Sequence, residues 1–454
     1  MSLRERPPGL KPQPMANTAA APEGLAQSGL PKRALAIIFG VSIATALGNT
    51  GLISVLPAIG RSIGIPDFMV VAVFSLSAVL WAVMSPFWAK ASDRFGRKPL
   101  MMVGLAGFMV SMALCGLVVS AGLRHLAAPL AIFGLFLLAR SLFGLFGSAS
   151  NPATQAYVAD HTGPEQRTQS MAGLAGAFGL GTVIGPFLAP LFIFPVLGLA
   201  GPLFTFSLIA AAMLYVVWRH LPESLVVEGG DREQELDLKG AKGPPLWRDP
   251  RVIPFLVFGF VVASCQTGQQ QTLGFLIIDK LTLSPIAAQR PIAIAMAFGA
   301  VAGLLAQWGI IRMFEMTPRQ LLRWGAATAA LGNLVVALST DYWTVVAGYA
   351  VASLGFGFAR PGFTAGGSLA VDAKDQARVA GGIAAVNGIN AVLAPAFVRL
   401  YEVNHAAPFA LNMLLLLGLL VYAFVNGPLR RADPEPVGSA ASTMAGLEKS
   451  DEAG

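Results

Sequence analysis

Apolar stretches of about 20 residues recur along this chain, each long enough to cross a bilayer as a helix. We predict spans at residues 34–57, 68–90, 99–121, 127–158, 166–192, 200–219, 252–279, 286–311, 319–339, 342–370, 376–400 and 405–427. Charged residues make up 12% of the 454 residues, about half the share found in soluble domains. Too few charges remain to build a water-facing surface. The sequence therefore predicts an all-α membrane protein with twelve transmembrane helices and a lipid bilayer around it.

Three polar segments divide the chain into two halves of six spans each. Residues 1–32 are rich in Pro and Ala and predict a disordered tail, and residues 428–454 predict a second tail. The clearest boundary is the charged linker 221–251. It separates an N-terminal six-helix bundle, 33–220, from a C-terminal six-helix bundle, 252–427.

Basic residues predict the orientation of the spans. Most of the 31 Lys and Arg residues lie in the tails, the linker or the loops that would share their side. The opposite side would hold Arg61, Arg124, Lys280, Arg290 and Arg399. Because basic residues collect on the cytoplasmic side of membrane proteins, we expect both termini in the cytoplasm and the chain in the cell membrane. This explains the net charge of +7, so no nucleic-acid partner is needed.

The two halves repeat one another at a constant offset. The matches are Phe146-Gly147 with Phe356-Gly357, Glu165-Gln166 with Asp375-Gln376, and Phe187 with Phe397. They predict two pseudo-symmetric bundles in the same membrane orientation. Parallel repeats with a binding site at mid-depth between them are a recurrent arrangement in transporters.

A charged loop between the second and third spans carries the most specific motif. It reads Ala89-Lys90-Ala91-Ser92-Asp93-Arg94-Phe95-Gly96-Arg97-Lys98-Pro99. The loop resembles the signature Gly-x-x-x-Asp-Arg-x-Gly-Arg-Arg/Lys of the major facilitator superfamily, with Ala89 in place of the leading Gly. The resemblance covers residues 33–427 and implies the twelve-helix fold of that family.

In that family the loop is a conformational latch between the bundles. The resemblance implies that Asp93 faces the start of span eleven. It also implies that Arg94 or Arg97 pairs with an acid at the end of span four, where Asp160 stands. Gly96 permits the tight turn. The alternative is that these charges only anchor the loop at the membrane surface.

Spans four and five carry two further motifs that resemble those of drug:proton antiporters. Arg140-x-x-x-Gly144-x-x-Gly147 resembles an arginine motif tied to proton exchange, and Gly181-x-x-x-Gly185-Pro186-x-x-Ala189-Pro190 partly matches the antiporter motif. An arginine in hydrocarbon is costly unless it faces a cavity or a partner, so Arg140 is expected to point inward. The alternatives are an arginine satisfied by backbone carbonyls and ordinary close packing of small residues.

Polar side chains within the spans are the candidate substrate-binding residues. In this family spans one, four, seven and ten line the substrate path. The candidates are Asn49, Arg140, Asn151, Gln155, Gln266, Gln269, Gln270, Arg360, Asn387 and Asn390. Gln266, Gln269 and Gln270 share one helical face by their i, i+3, i+4 spacing. The alternative role for the amides is to form hydrogen bonds between helices. Arg140 and Arg360 would suit an anionic or zwitterionic substrate.

No Asp or Glu lies deep within the predicted spans. Asp279, at the outer end of span seven, is the candidate proton carrier, and Arg140 is the second residue that the resemblance ties to proton coupling. Because arginine stays protonated at accessible pH, it cannot itself carry the proton.

Together with these observations, the resemblance implies a secondary transporter that exports a small, drug-like molecule in exchange for protons by alternating access. A metabolite or siderophore carrier of the same fold, exporting or importing, is the first alternative, and a non-transporting membrane receptor is the second. Cys115, Cys265 and the four histidines show no ligand spacing, and no phosphate-binding loop or catalytic carboxylate pair occurs. We therefore expect no metal, no cofactor and no enzymatic activity, and a monomer whose partners are its substrate, protons and lipid.

Overall fold

The computed structural model describes residues 31–162, 164–223, 249–371, 375–430 and 432. Nearly all of the two predicted tails and most of the predicted linker lie outside the described residues. Within the described residues the backbone is helical, and no β-strand forms. The fold is an all-helical membrane fold with twelve long helices.

Six helices precede the linker. They are α1 (Lys32–Ile63), α2 (Asp67–Phe95), α3 (Arg97–Leu123), α4 (Pro129–Leu145 and Ser150–Asp160), α5 (Pro164–Leu188) and α6 (Gly201–His220). Six more follow it. They are α7 (Ile253–Leu281), α8 (Gln289–Leu304 and Ile311–Met313), α9 (Pro318–Ala337), α10 (Tyr342–Leu369), α11 (Gln376–Ile389 and Ala394–Val403) and α12 (Ala407–Val425).

Each predicted span overlaps one of these helices. Among the described residues, nine helices are long and apolar enough to cross a membrane; α7, α9 and α11 fall outside this set. The predicted end of the first span at residue 57 was wrong, because α1 continues through Pro57 to Ile63 and is capped by Gly64. Gly64 adopts the left-handed conformation (φ +84°), and its N–H bonds the Gly60 carbonyl. This conformation, which glycine adopts without strain, ends the helix.

Short irregular turns interrupt some of the described helices. A 3₁₀ turn at Gly147–Ala149 interrupts α4. A π-turn at Leu305–Ile310 interrupts α8 and a 3₁₀ turn at Asn390–Leu393 interrupts α11. By contrast, α10 is a continuous helix that contains Pro361.

Side-chain caps begin two helices of the C-terminal half. Thr317 and Gln320 form a capping box at the start of α9. Asp341 accepts hydrogen bonds from the Thr344 hydroxyl (2.5 Å) and the Thr344 N–H (3.0 Å) at the start of α10. The bond from the hydroxyl, with that from the N–H, holds the pKa of Asp341 below its ordinary value. These caps satisfy backbone donors that the first helical turn leaves unpaired.

Successive helices run in opposite directions, which gives the molecule two distinct ends. We call the end at which α6 finishes and α7 begins the linker end, and the opposite one the far end. Apolar side chains from α1, α2, α3, α4 and α6 form a core in the N-terminal half, and α7, α9, α10 and α12 form one in the C-terminal half. At the far end, Val71 of α2 joins a core made by helices of the other half. The two halves therefore pack together most closely at the far end.

Candidate functional site

A cavity of about 450 Å3 lies at mid-depth between the two halves. Helix α5 contributes its wall from the N-terminal half, and α7, α8, α10 and α11 contribute the rest. Its polar lining consists of Thr182, Gln266, Thr267, Gln269, Gln270, Gln307, Tyr349, Ser353, Arg360 and Asn390. Its aromatic lining is Phe178, Phe356 and the ring of Tyr349. A concave site of this size, partly apolar with convergent polar groups, is typical of small-molecule binding.

The glutamine face of α7 forms one wall of the cavity. Gln266, Gln269 and Gln270 all line it, as their helical spacing predicts. Gln269 is only 1% exposed, whereas Gln266 and Gln270 are half-buried. The amides of Gln266 and Gln270 are therefore more accessible to a ligand than the amide of Gln269, which is buried within the wall.

A buried amide network fixes Gln269. Asn333 of α9 donates a hydrogen bond to the Gln269 side-chain carbonyl (3.2 Å), and Asn412 of α12 donates to the Asn333 carbonyl (3.2 Å). Asn412 also donates to the backbone carbonyl of Cys265 on α7 (3.1 Å). Three helices are thus tied together directly behind the cavity wall. The side-chain nitrogen of Gln269 is buried and has no partner among the described residues.

Helices α10 and α11 supply the remaining predicted cavity residues. Arg360 of α10 lines the cavity and is an exposed side chain. Asn390 of α11 also lines it and accepts a hydrogen bond from Thr267 of α7 at 2.9 Å. The side chain of Asn387 lies outside the described residues.

Arg140 of α4 points inward but is not in the cavity lining. It is 1% exposed, donates a hydrogen bond to the Asn49 side chain on α1, and lies over the rings of Phe74 (4.9 Å) and Phe143 (4.3 Å). Its Nε and Nη1 atoms are buried without a hydrogen-bond partner among the described residues. Arg140 is therefore sealed inside the N-terminal half by an amide and two aromatic faces.

The other predicted residues of α4 lie nearer the linker end. Asn151 and Gln155 are both exposed, and the Gln155 amide donates to the Asn151 carbonyl at 3.3 Å. The structure does not place them, or Asn49, in the cavity lining.

An ionic cluster joins the two halves at the far end. Arg61 of α1 donates to both carboxylate oxygens of Asp279 on α7, one of them at 2.9 Å, and forms a second ion pair with Asp67 of α2 at 2.8 Å. The Tyr401 hydroxyl of α11 donates to Asp279 at 2.5 Å, and His405 Nε2 lies 3.7 Å from the same carboxylate. Four helices and the loop after α11 therefore meet around one carboxylate.

Hydrogen bonds between α2 and α11 extend this closure. The Phe68 N–H donates to Glu402 at 3.1 Å, and the Ser75 hydroxyl donates to the Ala391 carbonyl at 2.7 Å. Polar contacts between α2 and α11 thus add to the ionic cluster in holding the two halves together.

At the linker end, the charged loop organises the N-terminal half. Arg97 donates to Asp160 of α4 at 2.9 Å and also pairs with Asp93. The expected pairing of an arginine with Asp160 is therefore present, through Arg97. Arg94 is exposed and lies over the ring of Phe95. That Asp93 faces the start of α11 remains a prediction.

Gly96 makes the turn in this loop as expected. Its φ is +94°, and a side-chain carbon there would lie 2.8 Å from the Glu223 carboxylate. Glu223 accepts a hydrogen bond from the Lys98 N–H at 3.2 Å. The glycine is therefore required both by the backbone conformation and by the space.

Small residues bring α5 against α1. A side-chain carbon at Gly181 would lie 2.5 Å from the Ile43 carbonyl, and one at Gly185 would overlap the Leu47 carbonyl. Pro186, one residue further, lines the cavity. The predicted close approach of helices is therefore present, and it positions α5 as the N-terminal wall of the cavity.

The sequence model of the Major Facilitator Superfamily matches residues 38–395 of this chain. The chain belongs to the major facilitator superfamily. It is therefore a multi-pass membrane transporter for small molecules and not an enzyme.

Efflux proteins are among the relatives of this transporter. The class C tetracycline resistance protein of Escherichia coli is 24% identical over 423 residues, which cover 88% of this chain and 96% of that protein. Multidrug resistance protein 2 of Bacillus subtilis is 25% identical over 346 residues, covering 75% and 80%. The crystal structure of the human organic anion transporter MFSD10 superposes with a TM-score of 0.61 at 20% identity, covering 87% of this chain and 100% of that one. The similarity to MFSD10 shows a shared fold.

Several residues of this transporter's site were not predicted from the sequence. Tyr349, Ser353 and Gln307 line the cavity, and Asn333 and Asn412 support its wall. An asparagine inside an otherwise apolar span is a detectable signal, because a buried amide needs a partner. The serine, tyrosine and glutamine carry a weaker signal, since such side chains are common at helix ends and surfaces.

Proposed function

We propose that this transporter exports a small organic molecule in exchange for protons by alternating access of the two halves. It would do so in the cell membrane, as a monomer with both termini in the cytoplasm. The relatives that support export are the tetracycline and multidrug resistance proteins.

The observation that carries the proposal is the position of the cavity relative to the far-end cluster. The cavity lies between the halves at mid-depth, and the Arg61–Asp279 ion pair joins those halves at the far end. For a solute in the cavity to leave at the far end, this ion pair must break. Rocking of one half against the other would then expose the same residues to each side in turn.

Asp279 is our proposed proton carrier. Its carboxylate is the acid that holds the two halves together through Arg61. Protonation removes the negative charge that attracts the guanidinium, so it weakens the far-end closure at the moment when a proton arrives from that side. In exchange, loss of the proton restores the ion pair and recloses the far end.

Arg140 and the linker-end residues have supporting roles in this proposal. The fixed positive charge of Arg140 would act electrostatically through α1 and α4, which the Asn49 hydrogen bond connects. Asp93, Arg94, Gly96, Arg97 and Asp160 would form the linker-end latch. Gly181, Gly185 and Pro186 would set how α5 moves against α1.

Counterflow in proteoliposomes tests the proposal. Purified full-length protein is reconstituted, an inward or outward pH gradient is imposed, and movement of radiolabelled tetracycline and a quinolone is followed. We expect a gradient to drive transport against the concentration difference, and Asp279→Asn to retain exchange while losing the gradient dependence. Binding without any acceleration of exchange would instead identify a receptor, and gradient-independent transport would identify a uniporter.

A further inference from the structure

We infer that His405 is a proton-transfer residue, which delivers protons from the solution at the far end to Asp279. This inference deepens the proposed function, on which it rests, because it names the route by which the coupling proton reaches its carrier. It is carried by the position of the imidazole, which is exposed on one side and faces the ionic cluster on the other.

Among the described residues, three polar side chains approach the Asp279 carboxylate, and two of them cannot supply a proton near neutral pH. Arg61 donates to both oxygens, and a guanidinium stays protonated at accessible pH. Tyr401 donates its hydroxyl hydrogen at 2.5 Å, and a phenol releases that proton only near about pH 10. The third is His405, whose Nε2 lies 3.7 Å from Oδ2. Histidine is the side chain that gains and loses a proton between about pH 5 and pH 8.

His405 is the most water-exposed of these side chains. It is 60% exposed, whereas Asp279 and Arg61 are each 24% exposed. It lies in the loop between α11 and α12, and its ring stacks on Tyr401 with the centroids 4.7 Å apart and an interplanar angle of 11°. The stack holds the imidazole beside the carboxylate, so a small approach, to about 3 Å, suffices for proton transfer.

The other acids of the cluster do not offer an alternative route. The charged and titratable groups around the imidazole are Arg61 of α1, Asp67 of α2, Asp279 of α7, and Tyr401 and Glu402 of α11. Asp67 is held by Arg61 at 2.8 Å, and Glu402 accepts a hydrogen bond from Arg399 at 2.6 Å. Ionised carboxylates accept hydrogen bonds and have no proton to donate.

The transfer step needs no co-reactant. The Nε2–H bond of the protonated imidazole breaks and an Oδ2–H bond forms on Asp279, so both side chains become neutral. The imidazole then takes its next proton from water at the far end. Arg61 loses the attraction of Asp279 but keeps its ion pair with Asp67. The far end can therefore open without leaving the guanidinium uncompensated.

An acid jump followed by stopped-flow fluorescence tests the relay. Val196→Cys and Ile286→Cys, at exposed far-end loop positions of the two halves, carry a donor–acceptor dye pair in the full-length protein in detergent. A drop from about pH 8 to about pH 5 crosses the range in which histidine titrates, and the change in energy transfer reports the opening. We expect His405→Gln to open at least about tenfold more slowly than the native chain. Its final transfer efficiency should be native, because a relay changes the rate and not the equilibrium.

Matched variants separate proton transfer from packing. His405→Phe keeps a ring that can stack on Tyr401 but carries no proton, so it should be as slow as His405→Gln. Imidazole added to the buffer should accelerate both variants. His125→Gln removes an exposed histidine of the α3–α4 loop, at the same end but outside the cluster, and it should open at the native rate. Thermal unfolding of each variant shows whether it is folded.

The outcomes distinguish this inference from the proposed function. A native opening rate in His405→Gln or His405→Phe, an altered final transfer efficiency, or no acceleration by imidazole would overturn the relay while Asp279 remained the proposed carrier. A native chain that does not open after the acid jump would overturn both the relay and the role of Asp279, and counterflow would then be independent of the pH gradient.

Discussion

Arg61 of α1 donates a 2.9 Å hydrogen bond to Asp279 of α7, across the boundary between the two halves. The same guanidinium bonds Asp67 of α2 at 2.8 Å. One arginine therefore neutralises two carboxylates, of which one belongs to its own half and one to the other half. Because Arg61 has two carboxylate partners, substitution of Arg61 and substitution of Asp279 should have different effects.

Asp279→Asn should open the far end. The substitution keeps the size of the side chain but removes the charge that holds Arg61, while Asp67 remains to pair with Arg61. Spin labels at Leu126 and Leu283, exposed loop positions of the two halves, should report a longer distance population by pulsed electron paramagnetic resonance. The native Cys115 and Cys265 are buried and should react slowly with the label.

Arg290→Gln is the control for this measurement. It removes a positive charge at the same end from an exposed residue in the first turn of α8. The distance distribution of this variant should match that of the native chain. Similar shifts in both variants would mean that any loss of charge at the far end opens it, and would contradict a specific role for Asp279.

Arg61→Gln should destabilise the protein more than Asp279→Asn. Removal of the arginine leaves both Asp67 and Asp279 without their counter-charge, and both carboxylates are partly buried. Loss of a hydrogen bond to a charged group costs about 1.5–3 kcal/mol, and here two such groups lose their partner. Thermal unfolding in detergent should give the lower midpoint for Arg61→Gln; an equal or higher midpoint would show that Asp67 does not depend on Arg61.

The twelve spans could be predicted from sequence because each is a local property. A window of apolar residues reports on its own burial in lipid, and helical spacing places Gln266, Gln269 and Gln270 on one face. Gly181 and Gly185 were identified in the same way, since small residues four apart mark a close helix contact. These inferences need no knowledge of which helices are neighbours.

The pairing of Arg61 with Asp279 could not be predicted in this way. Both residues were identified at the outer side, but their contact depends on how two halves far apart in sequence pack together. The exclusion of Arg140 from the cavity has the same origin. Phe143 follows Arg140 by one turn of α4, but Phe74 comes from α2, and only the packing of the two helices brings its ring over the guanidinium.

Gly185→Ala should destabilise the N-terminal half. The added methyl group would overlap the Leu47 backbone carbonyl, which cannot move without displacing α1. Overpacking of this kind typically costs about 1–3 kcal/mol. Gly134→Ala in α4 is the matched control, because nothing lies within 4 Å of the added carbon. It should leave the unfolding midpoint unchanged or raise it slightly, since alanine favours helix. Equal effects of the two substitutions would contradict the close packing of α5 on α1.

Arg97→Gln should impair transport more than Arg94→Gln. Both substitutions remove one charge from the same loop, but Arg97 pairs with Asp160 and Asp93, whereas Arg94 is exposed. The initial rate of counterflow in proteoliposomes should fall at least about tenfold for Arg97→Gln and less than about twofold for Arg94→Gln. If the charges only anchor the loop at the membrane surface, the two variants will lose activity equally.

Asn333→Leu should weaken both the fold and ligand binding. Asn333 is fully buried and donates to the Gln269 carbonyl at 3.2 Å while it accepts from Asn412. Its removal frees the Gln269 side chain at the cavity wall and leaves Asn412 with its bond to the Cys265 carbonyl. Hydrogen bonds between membrane helices contribute about 0.6 kcal/mol each on average, so the unfolding midpoint should fall modestly. Affinity for a bound ligand should fall as well, because the wall of α7 that carries Gln266 and Gln270 loses one of the hydrogen bonds that hold it in place.

Thr328→Val, also in α9, is the control that separates loss of the amide network from a general effect of substitution in this helix. The Thr328 hydroxyl bonds carbonyls of its own helix, so its loss leaves the network behind the cavity intact. This variant should keep the native affinity for radiolabelled tetracycline in equilibrium binding, whereas Asn333→Leu should lose several-fold. Leucine offers no hydrogen bond to replace the one that Asn333 donates to Gln269. Native affinity in the Asn333→Leu protein would therefore show that Gln269 keeps its position without Asn333.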